Sequence, residues 1–206
     1  MTDAQPGSNP TDDLELAGRA RGGDLASFNE LVERYQTSVY NLCLRMLGSV
    51  AADDATQEAF ISAYRHLDRF RGGSFRAWLF SIASNACYDE MRRKKARPAF
   101  SLDHAAGPDD RAFDAPSGEP TMEAHAENTE LRRALEAALQ QLPEEQRLAL
   151  VLCDVQGVDY AEIAEMTQTS LGTVKSRISR ARARMRAILG ERQELLPDTI
   201  RQTGDK

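Results

Sequence analysis

Residues 158–185, VDYAEIAEMTQTSLGTVKSRISRARARM, carry the pattern from which the fold can be read. Asp159 and Glu162 stand at the spacing of a capping box, with Val158 and Ile163 at the staple positions beside it, so a helix is expected to begin at Asp159. Thr167, Gln168, Thr169 and Ser170 interrupt the apolar period, and Ser170 can cap a new helix. In that second helix Leu171, Val174, Ile178, Ala181, Met185 and Ile188 recur at steps of three and four, which predicts one buried stripe. The opposite side presents Thr173, Ser176, Ser179, Arg180 and Ala183, flanked by Lys175, Arg177, Arg182 and Arg184, and no acid occurs between Glu165 and Glu191. A short helix, a turn and a basic second helix in that order predict a helix-turn-helix. Its small hydroxyl and basic residues suit phosphates and base edges in a major groove. A merely solvated cationic face would share the charge but not the ordered start, stop and restart.

Upstream, Leu131, Leu135, Leu139 and Leu142 predict one helix. Leu148, Val151, Leu152 and Val155, after Pro143 in a first-turn position and closed by Gly157, predict another. Far from this block lies a second helical one. Phe28, Leu31, Val32, Tyr35, Val39, Leu42, Cys43 and Met46 follow a 3.6-residue period, with Asp24 as start, Gly48 as stop and a possible break near Ser38. A further helix is expected from Asp53 to Phe70, with Ala59, Ala63 and Leu67 inward, ended by Gly72 and Gly73. Another starts at Ser74, buries Phe75, Trp78, Leu79 and Ile82, and finishes in Arg92, Arg93, Lys94 and Lys95, where basic side chains suit the negative end of the helix dipole.

Charge separates the two blocks. The chain has 206 residues, 32 acidic and 26 basic, for a net charge of -6, which would argue against a polyanionic partner if it were evenly spread. It is not: residues 99–130 hold eight acids and a single base, Arg111, while 131–190 hold seven acids and nine bases. The acidic segment, with three prolines, two glycines and few large apolar residues, is too poor in apolar surface to offset the entropy of ordering it. The expected organisation is an all-α chain of two small helical domains: a disordered start at 1–10, a first domain at 11–98, a flexible acidic linker at 99–125, a second domain at 126–190 and a flexible tail at 191–206.

Several function classes are disfavoured. Cys43, Cys87 and Cys153 are isolated in sequence, so neither a disulfide framework nor a redox-sensing role is suggested, and the three histidines lack partners at metal spacing. No nucleophile, base and orienter set and no phosphate-cradling glycine loop points to an enzyme, and no cofactor or small-molecule substrate is expected. No run of 18 apolar residues and no secretory leader is present, so a cytoplasmic protein without membrane insertion is expected.

The segments DDATQEAFISAYRHLDRFRGGSFRAWLFSIASNACYDEMRRKK and LPEEQRLALVLCDVQGVDYAEIAEMTQTSLGTVKSRISRARARMR resemble the two domains of extracytoplasmic-function (ECF) sigma factors, the small specificity subunits of bacterial RNA polymerase. The resemblance covers about residues 12–190. It implies an alternative sigma factor without its own catalysis. Sigma region 2 would dock on the clamp helices of the largest subunit of core RNA polymerase and open the -10 element of promoter DNA, and sigma region 4 would read the -35 element. It also implies an anti-sigma factor as a partner. A helix-turn-helix regulator acting without polymerase remains the alternative.

The residues fit those roles. Asp54, Gln57 and Glu58 share one helix face at i, i+3, i+4 and present an acidic polar surface to the implied coiled coil. Strand opening needs a basic track and a polar pocket for a flipped base, which the resemblance assigns to the loop from Phe70 through Arg71 to Ser74 and to Asn85. Arg76 and the cluster Arg92, Arg93, Lys94 would hold phosphates. Trp78 has the spacing of a core residue, and Tyr88 is left undecided. For the -35 element, Thr173, Lys175, Ser176, Arg177, Ser179 and Arg180 form the reading surface, with Arg182 and Arg184 facing phosphates. The acidic linker suits either a mimic of nucleic acid within a basic channel or a solubilising spacer.

Overall fold

A computed structural model describes residues 10–96 and 122–190. Those residues are predominantly helical, and no strand occurs among them. Of the expected start at 1–10 all but Pro10, the first residue of a helix, lies outside the described residues, as do most of the linker and the tail at 191–206. Met122 to His125, counted with the linker in the sequence reading, already form the start of a helix.

The first block contains α1 (Pro10–Arg21), α2 (Leu25–Leu47), α3 (Ser49–Arg65), a 3-10 turn (Leu67–Arg69) and α4 (Phe75–Ala96). Asp24 starts α2 as the spacing indicated: its carboxylate accepts from the backbone N–H groups of Ala26 (3.1 Å) and Ser27 (3.3 Å). Gly48, at φ 80°, ends α2 and lets the chain turn directly into α3. Val39, Leu42, Cys43 and Met46 are fully buried. Each large apolar group of this kind contributes about 1.5–3 kcal/mol, which outweighs the small helix preference lost at Ser38, so α2 runs through that position unbroken.

Two boundaries differ from the sequence reading. The third helix starts at Ser49 rather than Asp53, because Gly48 serves both ends, and it stops at Arg65, the chain tightening into the 3-10 turn before Phe70. α3 buries Ala51, Ala52, Ala55, Ala59 and Ala63, so it lies close against α2 and α4. The unheralded α1 is fastened by Asp13, which is buried and accepts from the Tyr35 hydroxyl and from Arg34 Nη1 (2.6 Å), while Arg34 Nη2 also reaches Asp12 and Glu30.

The second block contains α5 (Met122–Gln140), α6 (Glu144–Leu150), α7 (Tyr160–Met166) and α8 (Leu171–Gly190). α5 turns Ala134, Ala138 and Leu139 inward, while Leu135 is exposed. Leu139 and Leu142 are buried as the spacing indicated, but the packed face of α5 also takes in Ala134 and Ala138, whose small side chains bring it close to α2 and α8. α6 continues into a π-helical turn, Val151–Val155, in which the Gln156 N–H donates to the Val151 carbonyl at 3.0 Å. The extra residue in that turn rotates the register, so Val155, expected inside, is exposed and Gln156 is buried in its place.

The blocks pack against each other as one continuous apolar core. α2 meets α5, α6 and the π-helical turn, and α4 meets α7. Arg147, buried in the middle of α6, reaches Met46 O at 2.5 Å across this boundary. Within its own block the same guanidinium donates to Gln140 Oε1 (2.6 Å), Gln140 O (2.8 Å) and Leu142 O (3.1 Å). It thus closes the carbonyl ends of α5 and α2 together. Gln140 donates to Arg45 O (3.1 Å), Gln156 to Ser38 O (3.1 Å), Arg76 to Gln156 O, and Lys95 to Glu144 (2.6 Å). Among the described residues no helix is long and apolar enough to cross a membrane.

Candidate nucleic-acid interface

The second block presents the helix-turn-helix that its sequence predicts. Asp159 stands at the N-cap of α7 in an extended conformation, but its side chain makes no cap hydrogen bond, so the capping box does not form. The start is held by Val158 and Ile163, both buried, and by the Ile163 N–H donating to Asp159 O at 2.9 Å. In the turn, Gln168 takes φ 52°, a left-handed conformation that costs a residue with a side chain about 1–2 kcal/mol. The Thr169 N–H donating to Ala164 O and the Thr167 hydroxyl donating to Ile163 O fix that turn. Ser170 caps α8 as expected, accepting from the Thr173 N–H at 3.0 Å.

α8 buries Val174, Ile178 and Ala181, as predicted, while Leu171 at its first position is exposed. Lys175, Ser179 and Arg180 are exposed. Thr173, Ser176, Arg177 and Arg180 line one groove of about 590 Å³ with the start of α6 and Lys95. Within it Arg180 donates to Ser176 Oγ at 2.7 Å, and the Thr173 hydroxyl pairs with Ser170 at 2.8 Å. Arg177 differs from its neighbours: its side chain is only 18% exposed and is paired with Glu145.

Arg182 corrects the sequence reading more sharply. It was expected to face phosphates, but it holds Asp154 with both prongs, Nε at 3.0 Å and Nη2 at 2.5 Å, tying α8 to the π-helical turn. Arg184 remains exposed. The Arg182 guanidinium holds the Asp154 carboxyl below its usual value, against a smaller opposing effect of burial. A depressed folded-state value means that the pair stabilises the fold above the ordinary carboxylate value of 3.8 and loses that contribution as pH falls through the lower folded value. Asp154→Asn is therefore expected to lower the unfolding midpoint at pH 7, with a difference from the parent that shrinks below pH ~4 in a thermal-melt series. A constant difference down to about pH 2 would remove this ion pair as the cause.

In the first block, Asp54, Gln57 and Glu58 are exposed together on α3, opposite its alanine face. The residues expected to handle an opened strand separate into two groups. Arg71, Ser74, Asn85, Arg92, Arg93 and Lys94 are exposed, although Ser74 Oγ also caps α4 by accepting from the Ala77 N–H at 3.1 Å. Arg92 is paired with Asp89, and Arg93 with Glu90 at 3.0 Å. Phe70, by contrast, is buried against Phe75 and Trp78, with ring centroids 5.5 and 5.3 Å away. Arg76 lies over the Phe80 ring at 5.1 Å and donates to Gln156 O, so its cation faces the second block.

Asn85 lines a groove of about 310 Å³ between α3 and α4 with Glu58, Trp78 and Arg93. Trp78 is half-buried, packed as its spacing indicated yet bordering this groove. Tyr88, undecided from sequence, lies near the second block, where burial and then Glu145 push its hydroxyl up to about 12. The sequence reading missed the whole inter-block set, Arg45, Met46, Gln140, Arg147 and Gln156. Only Arg147 left a trace, as a cation one step before the apolar run LALVL.

Comparison with known proteins matches residues 31–97 to the family Sigma-70 region 2 and residues 132–185 to Sigma-70, region 4. The ECF RNA polymerase sigma factor SigM of Mycobacterium tuberculosis is 37% identical over 186 residues, covering 89% of this chain and 88% of that protein. The ECF RNA polymerase sigma-E factor of Escherichia coli is 40% identical over 176 residues, covering 82% and 90%. Among solved structures, CnrH in complex with the cytosolic domain of CnrY superposes with TM-score 0.65 at 27% identity, over 87% of this chain and 98% of that one. The sigma factor RpoE of Bartonella quintana, solved with the anti-sigma factor NepR, gives 0.61 at 25% identity, over 79% and 96%.

Proposed function

The chain belongs to the extracytoplasmic-function sigma factors of bacterial RNA polymerase, and from that premise we propose how its residues divide the work of transcription initiation. α3 docks on core polymerase through Asp54, Gln57 and Glu58. α8 reads the -35 element in the major groove through Lys175, Ser176, Ser179 and Arg180. Arg71, Ser74, Asn85 and the basic end of α4 hold the opened -10 strand. The chain itself does no catalysis, and it works in the cytoplasm, where template and polymerase are. An anti-sigma protein is its natural antagonist, as in the complexes of the CnrH and RpoE structures.

The observation that supports this reading most is the pairing, on one chain, of an exposed acidic face on α3 with an exposed basic face on α8. Geometry adds a requirement. The -35 and -10 positions lie about 25 base pairs apart, roughly 85 Å of helix axis. Two touching domains, each with a radius of gyration of about 12 Å, cannot span that distance. The contacts of Arg147, Gln156 and Arg76 must therefore part before both elements are bound, which frees the Arg76 cation for a phosphate.

The test is co-purification with core polymerase from a bacterial lysate, followed by competition binding. Gln57→Ala with Glu58→Lys is expected to weaken core binding by about 1–3 kcal/mol while leaving the unfolding midpoint unchanged. Unchanged affinity would remove this face from the interface. Tight, sequence-specific promoter binding by the free chain, without polymerase, would instead indicate a regulator that acts alone.

A further inference from the structure

Cys43 on α2 and Cys87 on α4 are 44 positions apart in sequence and appear isolated there, yet the fold brings their sulfurs to 3.7 Å. Both side chains are fully buried, and the Cys87 thiol donates to Cys43 Sγ. We propose that Cys43 and Cys87 form a dithiol site in the first domain that a peroxide converts reversibly into an intramolecular disulfide.

The geometry supports the bond. A disulfide needs sulfurs about 2.05 Å apart, so the two must approach by about 1.6 Å, a displacement that side-chain rotation and a small shift of α4 towards α2 can supply. The two thiols also differ. Hydrogen bonds from Cys87 and Thr56 hold Cys43 below the ordinary thiol value despite burial, whereas the same contact with Cys43, together with burial, pushes Cys87 up. Cys43 is therefore the better nucleophile and Cys87 the proton holder.

The chemistry balances in two steps. The Cys43 sulfur attacks one peroxide oxygen, the O–O bond breaks, and Cys43 becomes a sulfenic acid with release of one water. The Cys87 sulfur then attacks the Cys43 sulfur, its proton leaves with the hydroxyl as a second water, and the S–S bond forms. Two thiols lose two electrons in total and the peroxide gains them. Burial makes the rate depend on brief opening of the α2–α4 contact. Cys153 provides an internal comparison: it is half-buried, has no second cysteine beside it among the described residues, and burial followed by Asp154 pushes its thiol up to about 11.

The site lies between two functional faces. α2 offers the Ser38, Arg45 and Met46 carbonyls to the second domain on the turns around Cys43, and α4 carries Asn85 half a turn before Cys87. A bond here fixes the spacing between the helix that holds the domains together and the helix that faces the opened strand.

The experiment treats the full chain with hydrogen peroxide, alkylates it under denaturing conditions and maps the peptides by mass. The expected result is one cross-linked pair joining the Cys43 and Cys87 peptides, 2 Da lighter than their sum and separated by dithiothreitol, with free thiols falling from three to one. Cys153→Ser is expected to keep the cross-link, with free thiols falling from two to none. Recovery of Cys43 and Cys87 as alkylated thiols, under conditions that fully oxidise a control dithiol peptide, overturns the proposal. So does their recovery as separate sulfinic acids, or in disulfides between two chains. Because the parent chain carries the readout, a cysteine variant that fails to fold does not decide the outcome.

Discussion

Arg147→Ala is expected to lower the stability of the chain by about 2–4 kcal/mol and to separate its two domains. The side chain is buried, and its cation forms no salt bridge among the described residues. It is held instead by the Met46, Gln140 and Leu142 carbonyls and the Gln140 amide oxygen. Burial pulls its pKa down, with Glu144 opposing, yet a guanidinium stays charged throughout the physiological range. Nε is the one buried side-chain nitrogen or oxygen without a hydrogen-bond partner among the described residues, so the remaining donors carry the whole interaction. Alanine leaves the carbonyl ends of two helices open at once. Denaturant unfolding of the full chain reads the loss, and small-angle scattering reads the separation. Arg147→Lys keeps the charge but not the fork and should fall between parent and alanine. An unchanged midpoint in both variants would mean that water replaces the guanidinium at no cost.

Three arginines of α8 are expected to behave differently although all lie within five residues. Arg180 is exposed and, among the described residues, held by Ser176, so in the polymerase complex Arg180→Ala should cost about 1–3 kcal/mol and relax preference at particular -35 base pairs. Arg184 is exposed further along the helix, and Arg184→Ala should weaken all promoters about equally and reduce the salt slope by about 1. Arg182→Ala should instead lower folding stability, because Arg182 joins α8 to Asp154. The measurement is holoenzyme binding to single-base -35 variants at two salt concentrations, with melts of the free proteins alongside. A uniform loss across the set for Arg180→Ala would show that it does not read bases, and attention would pass to Lys175 or Ser176.

Local signals in the sequence located most of the helices. Asp24 and Gly48 bounded α2, Ser170 opened α8, and the glycines at 72 and 73, with φ 101° and 84°, mark the loop before α4. Such signals act within a few residues of where they are written. What they could not supply was the identity of a helix's neighbour. α5 reads as a leucine stripe, but the face that packs joins Leu139 to Ala134 and Ala138 and leaves Leu135 outside, because close approach to α2 and α8 favours small side chains. Val155 is outside because the π-helical turn shifts the register, and no spacing rule anticipates an inserted residue.

The candidate site follows the same division. Exposure of Asp54, Gln57, Glu58, Lys175, Ser179 and Arg180 followed from helical period alone. Phe70, Arg76, Arg177 and Arg182 are engaged by partners that their local sequence does not reveal: an aromatic cluster, a backbone carbonyl 80 positions away, Glu145 and Asp154. The cysteine pair was hidden for the same reason, since a separation of 44 residues says nothing of which helices lie side by side.

On the division of work proposed above, the contact made by Arg147 with Met46 also acts as a thermodynamic toll on promoter binding. If only separated domains engage both elements, the observed dissociation constant for DNA equals the intrinsic one divided by the fraction of separated molecules. Each kcal/mol by which the joined form is favoured then weakens apparent binding about fivefold. A polymerase that binds only separated molecules shifts this equilibrium before DNA arrives and cancels the loss. Dependence of DNA binding on polymerase then follows from mass action between two conformers, with no direct contact between polymerase and the reading helix.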